Sequence, residues 1–138
     1  MTRKAILTTL VLAALALATS TSALAAVTDG AVAMYFHRTQ RCPTCQTIGS
    51  WSEDAVKTGF AKEIEGGKVS FHQIDFQNEA NAAMTKGYQI TGPTLVVAKV
   101  RGGRVQSFRA MPGVWKLVGD EDKFYKYVQS GVSAYLED

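Results

Sequence analysis

Cys42 and Cys45 are the only cysteines in the sequence, and Pro43 and Thr44 separate them. A disulfide that serves stability usually closes a longer loop, whereas a pair at this spacing can alternate between a dithiol and a disulfide. A single pair also cannot form the multi-bridge framework of small secreted domains. The spacing therefore predicts a redox-active centre made by the two thiols themselves, with no separate cofactor.

Zinc binding is the competing interpretation of the pair. A structural zinc site needs about four ligands, and beyond the cysteines the sequence offers only His37 and His72 besides carboxylates. His72 lies inside a predicted strand, and there is no second pair of closely spaced ligands. We therefore favour a redox centre and predict no metal site.

The cysteine pair lies between a predicted buried strand and a predicted long helix. Residues 31–36 are apolar throughout, which is typical of a strand buried on both faces of a sheet. From Pro43 onward, apolar and small residues recur at helical spacing as far as Gly66-Gly67. We expect this helix to bend near Gly49-Ser50 or near Gly59.

This position assigns different roles to the two cysteines. A thiolate is the species that attacks a disulfide, and the unfilled N–H groups at a helix N-terminus stabilise that anion. We expect Cys42 to be the exposed attacking thiol and Cys45, one turn deeper, to resolve the mixed disulfide. Arg41 adds positive charge and His37 can exchange a proton near neutral pH, so both are candidates for tuning the pKa of Cys42. The alternatives are a solvated loop position for Arg41 and a local hydrogen bond for His37.

The rest of the chain predicts an α/β fold in the order β-α-β-α-β-β-α. The first two strands should be parallel and the hairpin antiparallel, giving a mixed central sheet with helices on both faces. The elements are a strand over 69–75, a short helix from Asn78 to Gly87, a hairpin of 95–100 and 105–108, and a final helix capped by Asp120.

The first 25 residues predict a cleavable signal peptide. Arg3 and Lys4 precede an uncharged, mostly apolar stretch, and Ala23-Leu24-Ala25 is a small-residue cleavage pattern. The stretch is shorter than the roughly 20 residues that span a bilayer, so we expect no stable membrane insertion after cleavage. The interpretation is one domain, residues 26–138, in the periplasm or secreted.

Charge gives little indication of a nucleic-acid partner. The sequence has 15 Lys and Arg against 12 Asp and Glu. Two of the basic residues belong to the predicted signal, so the mature domain is close to neutral. Nucleic-acid binding would call for a basic stripe or cluster, and we predict none.

The motif pattern resembles the thioredoxin superfamily over nearly all of the predicted domain. The resemblance rests on the element order, on the cysteines at the strand-helix junction, and on the proline in Thr91-Gly92-Pro93-Thr94 before the hairpin. It implies that Pro93 is cis and lies across from the cysteines, and that Gly92 offers its backbone to the substrate beside Pro43 and Thr44. An ordinary proline at the start of a strand is the alternative.

The sequence departs from thioredoxin itself at three points. Arg41 replaces the tryptophan before the first cysteine, and Pro43-Thr44 replaces Gly-Pro between the cysteines. The first strand also lacks the acidic residue that acts as a buried proton relay. A proline after the first cysteine is similar to glutaredoxins and periplasmic oxidases. We therefore predict a potential more oxidising than the roughly −270 mV of thioredoxin.

A narrower resemblance concerns three short segments. Residues 35–37, 41–48 and 114–117 are similar to a bacterial group of nitrophenyl-compound nitroreductase subunits that are encoded beside aromatic-arsenical efflux permeases. This implies a part in reducing nitroaromatic arsenicals. Because one dithiol supplies two electrons and the chain has no Gly-rich nucleotide loop, a partner subunit would be needed.

The combined prediction is an exported thiol-disulfide oxidoreductase or electron-transfer protein. Its partners would be a protein thiol or disulfide and an electron donor, which can be membrane-bound. A non-catalytic alternative remains open, in which the same dithiol binds a soft metal or an organoarsenical for a transporter.

Overall fold

The computed structural model describes residues 26–137, so the predicted signal peptide lies outside the described residues. A short 3-10 turn (Glu79–Asn81) precedes the third helix. The other elements are strands β1 (Gly30–His37), β2 (Val69–Asp75), β3 (Thr94–Arg101) and β4 (Arg104–Ala110), and helices α1 (Pro43–Gly59), α2 (Ala61–Glu65), α3 (Ala82–Gly87), α4 (Val114–Leu117) and α5 (Glu121–Leu136).

The four strands form one mixed sheet in the order β2-β1-β3-β4. β1 runs parallel to β2 and antiparallel to β3, and β4 pairs antiparallel with β3 at the edge. β1 therefore has a strand on each side and helices over it, which explains why its sequence is almost wholly apolar. The parallel first pair and the antiparallel hairpin confirm the predicted topology.

Each face of the sheet carries its own hydrophobic cluster. The larger one lies under α1 and α5, where Ile48 and Val56 of α1 meet Phe124 and Val128 of α5 and the inner side chains of the sheet. The smaller one lies on the opposite face, where Tyr88, directly after α3, packs near the side chains that point to that side. Its buried members are Met34, Phe36, Ile74, Val96 and Ala98.

Local sequence signals account for the turns and caps. Gly102 and Gly103 both have positive φ, 58° and 72°, as the two-residue turn between β3 and β4 requires. The side chain of Asp120 accepts a hydrogen bond from the N–H of Lys123 and caps α5. Both the hairpin and this cap confirm the sequence prediction.

Two details of the helices go beyond the predicted element order. The long helix is interrupted at Gly59, one of the two expected positions: α1 ends there, and Phe60 leaves the helical region with φ −133° before α2 begins. The four-residue helix α4 was not predicted, because it is too short to show helical periodicity. None of the described helices is long and apolar enough to cross a bilayer.

Candidate redox site

Cys42 and Cys45 are joined by a disulfide at the start of α1, with their Cα atoms 5.1 Å apart. Cys42 is the N-cap residue and is exposed, whereas Cys45 lies one turn into the helix with only 9% of its surface accessible. Pro43 occupies the first helical turn, where its missing N–H removes no hydrogen bond. A thiol partner from solvent therefore meets the sulfur of Cys42 first.

The backbone of α1 donates directly to the sulfur of Cys42. The N–H of Cys45 lies 3.1 Å from Cys42 Sγ, and the N–H of Gln46 donates to the Cys42 carbonyl oxygen at 3.0 Å. The first turn of α1 contains no acidic side chain that would repel an anion. After reduction the same N–H and the positive end of the helix dipole would stabilise a thiolate at Cys42.

The guanidinium of Arg41, directly before Cys42, is held by two neutral side chains. Its Nη1 donates to Gln73 Oε1 and its Nη2 to His37 Nε2, each at 2.6 Å. Because arginine only donates, Nε2 of His37 must be the acceptor nitrogen. The proton is therefore on Nδ1, which donates to the Arg38 carbonyl oxygen at 2.9 Å. His37 makes the local hydrogen bond that one alternative expected, and it also supports the arginine.

Gln73 connects this arginine to α1. Its Nε2 donates to Glu53 Oε2 at 2.8 Å, and Glu53 also pairs with Lys57, whose hydrogen bond is the main reason that the pKa of Glu53 is lowered. Gln73 and Glu53 were not predicted as part of the site. The only sequence signal was the position of Gln73, on the same side of β2 as Val69 and Phe71.

Gly92 and Pro93 lie at the end of the sheet that also carries the cysteines. Thr94, the first residue of β3, pairs with Phe36 near the end of β1. The Gly92-Pro93 segment and the loop leading to Cys42 therefore lie at the same end of the sheet. The carbonyl oxygen of Pro93 accepts a hydrogen bond of 3.4 Å from the indole of Trp115, which is 40% exposed. Thr44, by contrast, is simply exposed in the first turn of α1.

The expectation of a cis bond at Pro93 is wrong. No peptide bond within residues 26–137 is cis, so the Gly92–Pro93 bond is trans. Trans is the intrinsically favoured isomer of an X–Pro bond, by about 0.5–1 kcal/mol. The Thr94 hydroxyl donates to the Gly92 carbonyl oxygen at 2.8 Å in this arrangement.

Tyr35 lies under the second turn of α1 with no exposed surface. Its ring packs so close to Gly49 that a Cβ there would be 3.0 Å from the ring. Burial raises the pKa of Tyr35, and the charge of Arg41 acts weakly in the opposite direction. Within the described part of the chain, its hydroxyl has no hydrogen-bond partner.

The described residues contain no cluster of histidine, cysteine and carboxylate side chains that could form a metal site. Among residues 26–137, no three of them lie close enough together to hold a metal ion. His72 hydrogen-bonds Ser70 Oγ at 3.1 Å, and burial lowers its pKa.

Comparison with known proteins identifies the fold. No protein-family model and no curated protein matches the chain, but solved structures do. Human ERp44 matches with a TM-score of 0.55 and 17% identity, over 81% of this chain and 27% of ERp44. The thioredoxin Mala s 13 of Malassezia sympodialis is 20% identical over 79% of this chain and 81% of its own, with a TM-score of 0.47.

The germline thioredoxin Deadhead of Drosophila melanogaster is 22% identical, over 78% of this chain and 86% of its own, with a TM-score of 0.45. At such identities a likeness shows the fold alone, and the match to ERp44 carries that argument. The chain spans about a quarter of ERp44. Together with the strand order, this match shows that the chain has a thioredoxin-like fold.

Proposed function

From a thioredoxin-like fold with a disulfide at the start of its first helix, we propose that this protein is a thiol-disulfide oxidoreductase in which Cys42 attacks and Cys45 resolves. The observation that carries the proposal is the asymmetry of the pair. Cys42 is exposed at the N-cap and accepts a hydrogen bond from the N–H of Cys45, while Cys45 is nearly buried.

The chemistry is an exchange of disulfide bonds. A partner thiolate attacks Cys42 Sγ, the Cys42–Cys45 bond breaks, and Cys45 leaves as a thiolate with the bonding electron pair. A second partner thiolate then attacks the mixed disulfide, so the partner is oxidised by two electrons and the dithiol is formed. The reverse sequence reduces a partner disulfide, with Cys42 as the attacking thiolate.

The proposed substrate surface combines the residues after Cys42 in α1 with residues at the same end of the sheet. Pro43 and Thr44 follow Cys42 in the first turn of α1, and Gly92 and Pro93 lie at the end of the sheet that carries the cysteines. Arg41 and the helix start would lower the pKa of the Cys42 thiol, which stabilises the reduced form and makes the disulfide a better oxidant.

Two further parts of the proposal concern the cellular location of the protein and its substrate. We propose that the protein is exported to the periplasm or secreted, since its first 25 residues have the three parts of a signal peptide. In that compartment the reduced form requires an electron donor. The similarity of three short segments to nitrophenyl-compound nitroreductase subunits supports a role in reducing nitroaromatic arsenicals, together with a partner subunit.

Multiple turnover tests the proposed activity. The oxidised protein would be mixed with a large excess of a fluorescent peptide that carries two thiols, and with glutathione disulfide as the final oxidant. We expect many peptide disulfides per protein molecule with the wild type and none above background with Cys42→Ser. Oxidation of at most one peptide per protein molecule would contradict an oxidoreductase.

A dithiol binding module is the second candidate, because the two cysteines are close enough for both thiolates to bind one soft centre. The reduced protein would be titrated with a trivalent phenylarsenical. Stoichiometric binding that requires both cysteines, combined with absence of turnover in the peptide assay, would favour the binding module. Turnover would favour the oxidoreductase whether or not the arsenical binds.

A further inference from the structure

Arg41, the residue directly before the attacking cysteine, has hydrogen-bond donors that are not used within its own site. The residue is partly buried, and hydrogen bonds to Gln73 and His37 fix the orientation of its guanidinium. A guanidinium carries five N–H donors, so three remain after these two bonds. The side chain is therefore a preoriented cation with unused hydrogen-bonding capacity, one residue before Cys42.

No carboxylate within residues 26–137 forms an ion pair with Arg41. The neighbouring acidic side chains have other partners. Glu53 binds Lys57 and the amide of Gln73, and Asp75 accepts hydrogen bonds from the hydroxyl of Thr39 and from a backbone N–H. A partly buried cation without a counter-ion interacts more strongly with an incoming anion than a fully solvated one does.

The position of this cation matches the path of a substrate. A substrate cysteine that reaches the exposed sulfur of Cys42 brings its neighbouring residues close to the residues that adjoin Cys42 in the chain, and Arg41 directly precedes it. The N-terminus of α1 contributes a further partial positive charge at the same point. Residues that flank the substrate cysteine therefore experience a positive potential.

We propose that Arg41, positioned by His37 and Gln73, makes this site select thiols and disulfides that are flanked by carboxylates. The inference rests on the proposed exchange at Cys42 and names its substrate class. A carboxylate beside the substrate cysteine accepts hydrogen bonds from the free guanidinium N–H groups while the sulfur approaches Cys42. The carboxylate is not consumed, and the electrons move only between the sulfur atoms.

The test compares three hexapeptides that each contain one cysteine, flanked by aspartates, by serines or by lysines. The rate at which each peptide, in large excess, consumes the oxidised protein is measured by mass spectrometry after an acid quench, as the sum of mixed disulfide and dithiol. The sum is followed because Cys45 can resolve the mixed disulfide. Each rate is divided by the rate of the same peptide with the neutral reagent dithiodipyridine, which corrects for differences in peptide thiolate. We expect the acidic peptide to react about five- to tenfold faster than the serine peptide at low salt, and the lysine peptide more slowly.

Two variants distinguish recognition of the substrate carboxylate by Arg41 from an effect of Arg41 on the pKa of the Cys42 thiol. Arg41→Gln should bring the acidic-to-neutral rate ratio close to one, whereas a change in the pKa of Cys42 alone would alter all three rates together and leave the ratio intact. Gln73→Glu loses the hydrogen bond to Glu53 but keeps Arg41 in the chain and supplies it with a counter-ion, so it should also abolish the preference. Their matched controls, Arg104→Gln and Gln106→Glu on the exposed strand β4, should keep the wild-type ratio.

Each result has a defined meaning. An equal corrected rate for all three peptides, or a preference that survives in Arg41→Gln, overturns the inference while the proposed exchange still stands. No consumption of the oxidised protein by any peptide overturns the exchange and the inference together. Glutathione, a small thiol with two carboxylates, is measured in parallel. If the acidic hexapeptide has the higher corrected rate, the preferred substrates are protein segments. If glutathione has the higher corrected rate, they are small acidic thiols.

Discussion

Replacing Gly49 with alanine should destabilise the protein, although Gly→Ala within a helix normally stabilises. A Cβ at this position would be 3.0 Å from Tyr35 Cδ1 and 3.1 Å from Gln73 Oε1. These distances are shorter than ordinary van der Waals contacts, so the neighbours would have to move by a few tenths of an ångström. Tyr35 is completely buried and Gln73 is bonded to both Arg41 and Glu53, so neither can yield freely.

The magnitude follows from two opposing terms. Overpacking a buried position costs about 1–3 kcal/mol, and the helical preference of alanine over glycine returns about 0.5–1 kcal/mol. We therefore expect Gly49→Ala to lower the free energy of unfolding by about 1 kcal/mol, which for a domain of this size lowers Tm by roughly 4–8 °C.

Urea unfolding of the oxidised protein measures this change. Trp51 packs edge-on against Phe124 in the core, so its fluorescence reports the loss of tertiary structure. Gly87→Ala is the matched control, because a Cβ there meets nothing within 4 Å; it should be neutral or stabilising. If Gly49→Ala is as stable as Gly87→Ala, the close packing of Tyr35 and Gln73 against α1 is refuted.

Three further predictions concern the caps, acid stability and redox potential. Asp120→Ala removes the side-chain cap of α5 and should lower the urea midpoint of unfolding, with Asp120→Asn much milder. The hydrogen bond from Thr39 lowers the pKa of Asp75, so its contribution to stability is present above the unfolded value of about 4 and is lost as the pH falls through the folded value. Thermal unfolding of Asp75→Asn should therefore depend less on pH in the acidic range than that of the wild type. A redox titration against glutathione should give a potential above the roughly −270 mV of thioredoxin, and a value at or below it would contradict thiolate stabilisation at Cys42.

The features that were predictable from the sequence are those set by neighbouring residues. The apolar run of β1, the Gly102-Gly103 turn and the Asp120 cap each depend on a few adjacent positions, and all three appear as predicted. The placement of Cys42 at the start of α1 belongs to the same group, because it follows from a strand, a proline and a helical pattern in succession.

The support of Arg41 was not predictable, because its partners are remote in the chain. Gln73 is 32 residues away, and its contact with Glu53 spans 20 residues. Only the parallel register of β1 and β2, which pairs Tyr35 with Gln73, brings them together. The sequence could indicate that a cation precedes the cysteines, but not that Gln73 and His37 hold it, nor that no carboxylate among residues 26–137 pairs with it.

The isomer of the Gly92–Pro93 bond shows a second limit of prediction from the sequence. The cis expectation came from resemblance to a superfamily, whereas the intrinsic energy difference between the isomers is only about 0.5–1 kcal/mol in favour of trans. A difference this small is decided by the surrounding structure, so the sequence motif alone did not determine it.

Trapping of the mixed disulfide tests the central claim, that Cys42 attacks and Cys45 resolves, most directly. Reduced Cys45→Ser and reduced Cys42→Ser would each be incubated with the same peptide disulfide, and the covalent adducts identified by mass spectrometry. We predict a stable adduct at Cys42 in the Cys45→Ser variant and little or no adduct at Cys45 in the Cys42→Ser variant. Equal trapping by both variants, or trapping only at Cys45, would contradict the account.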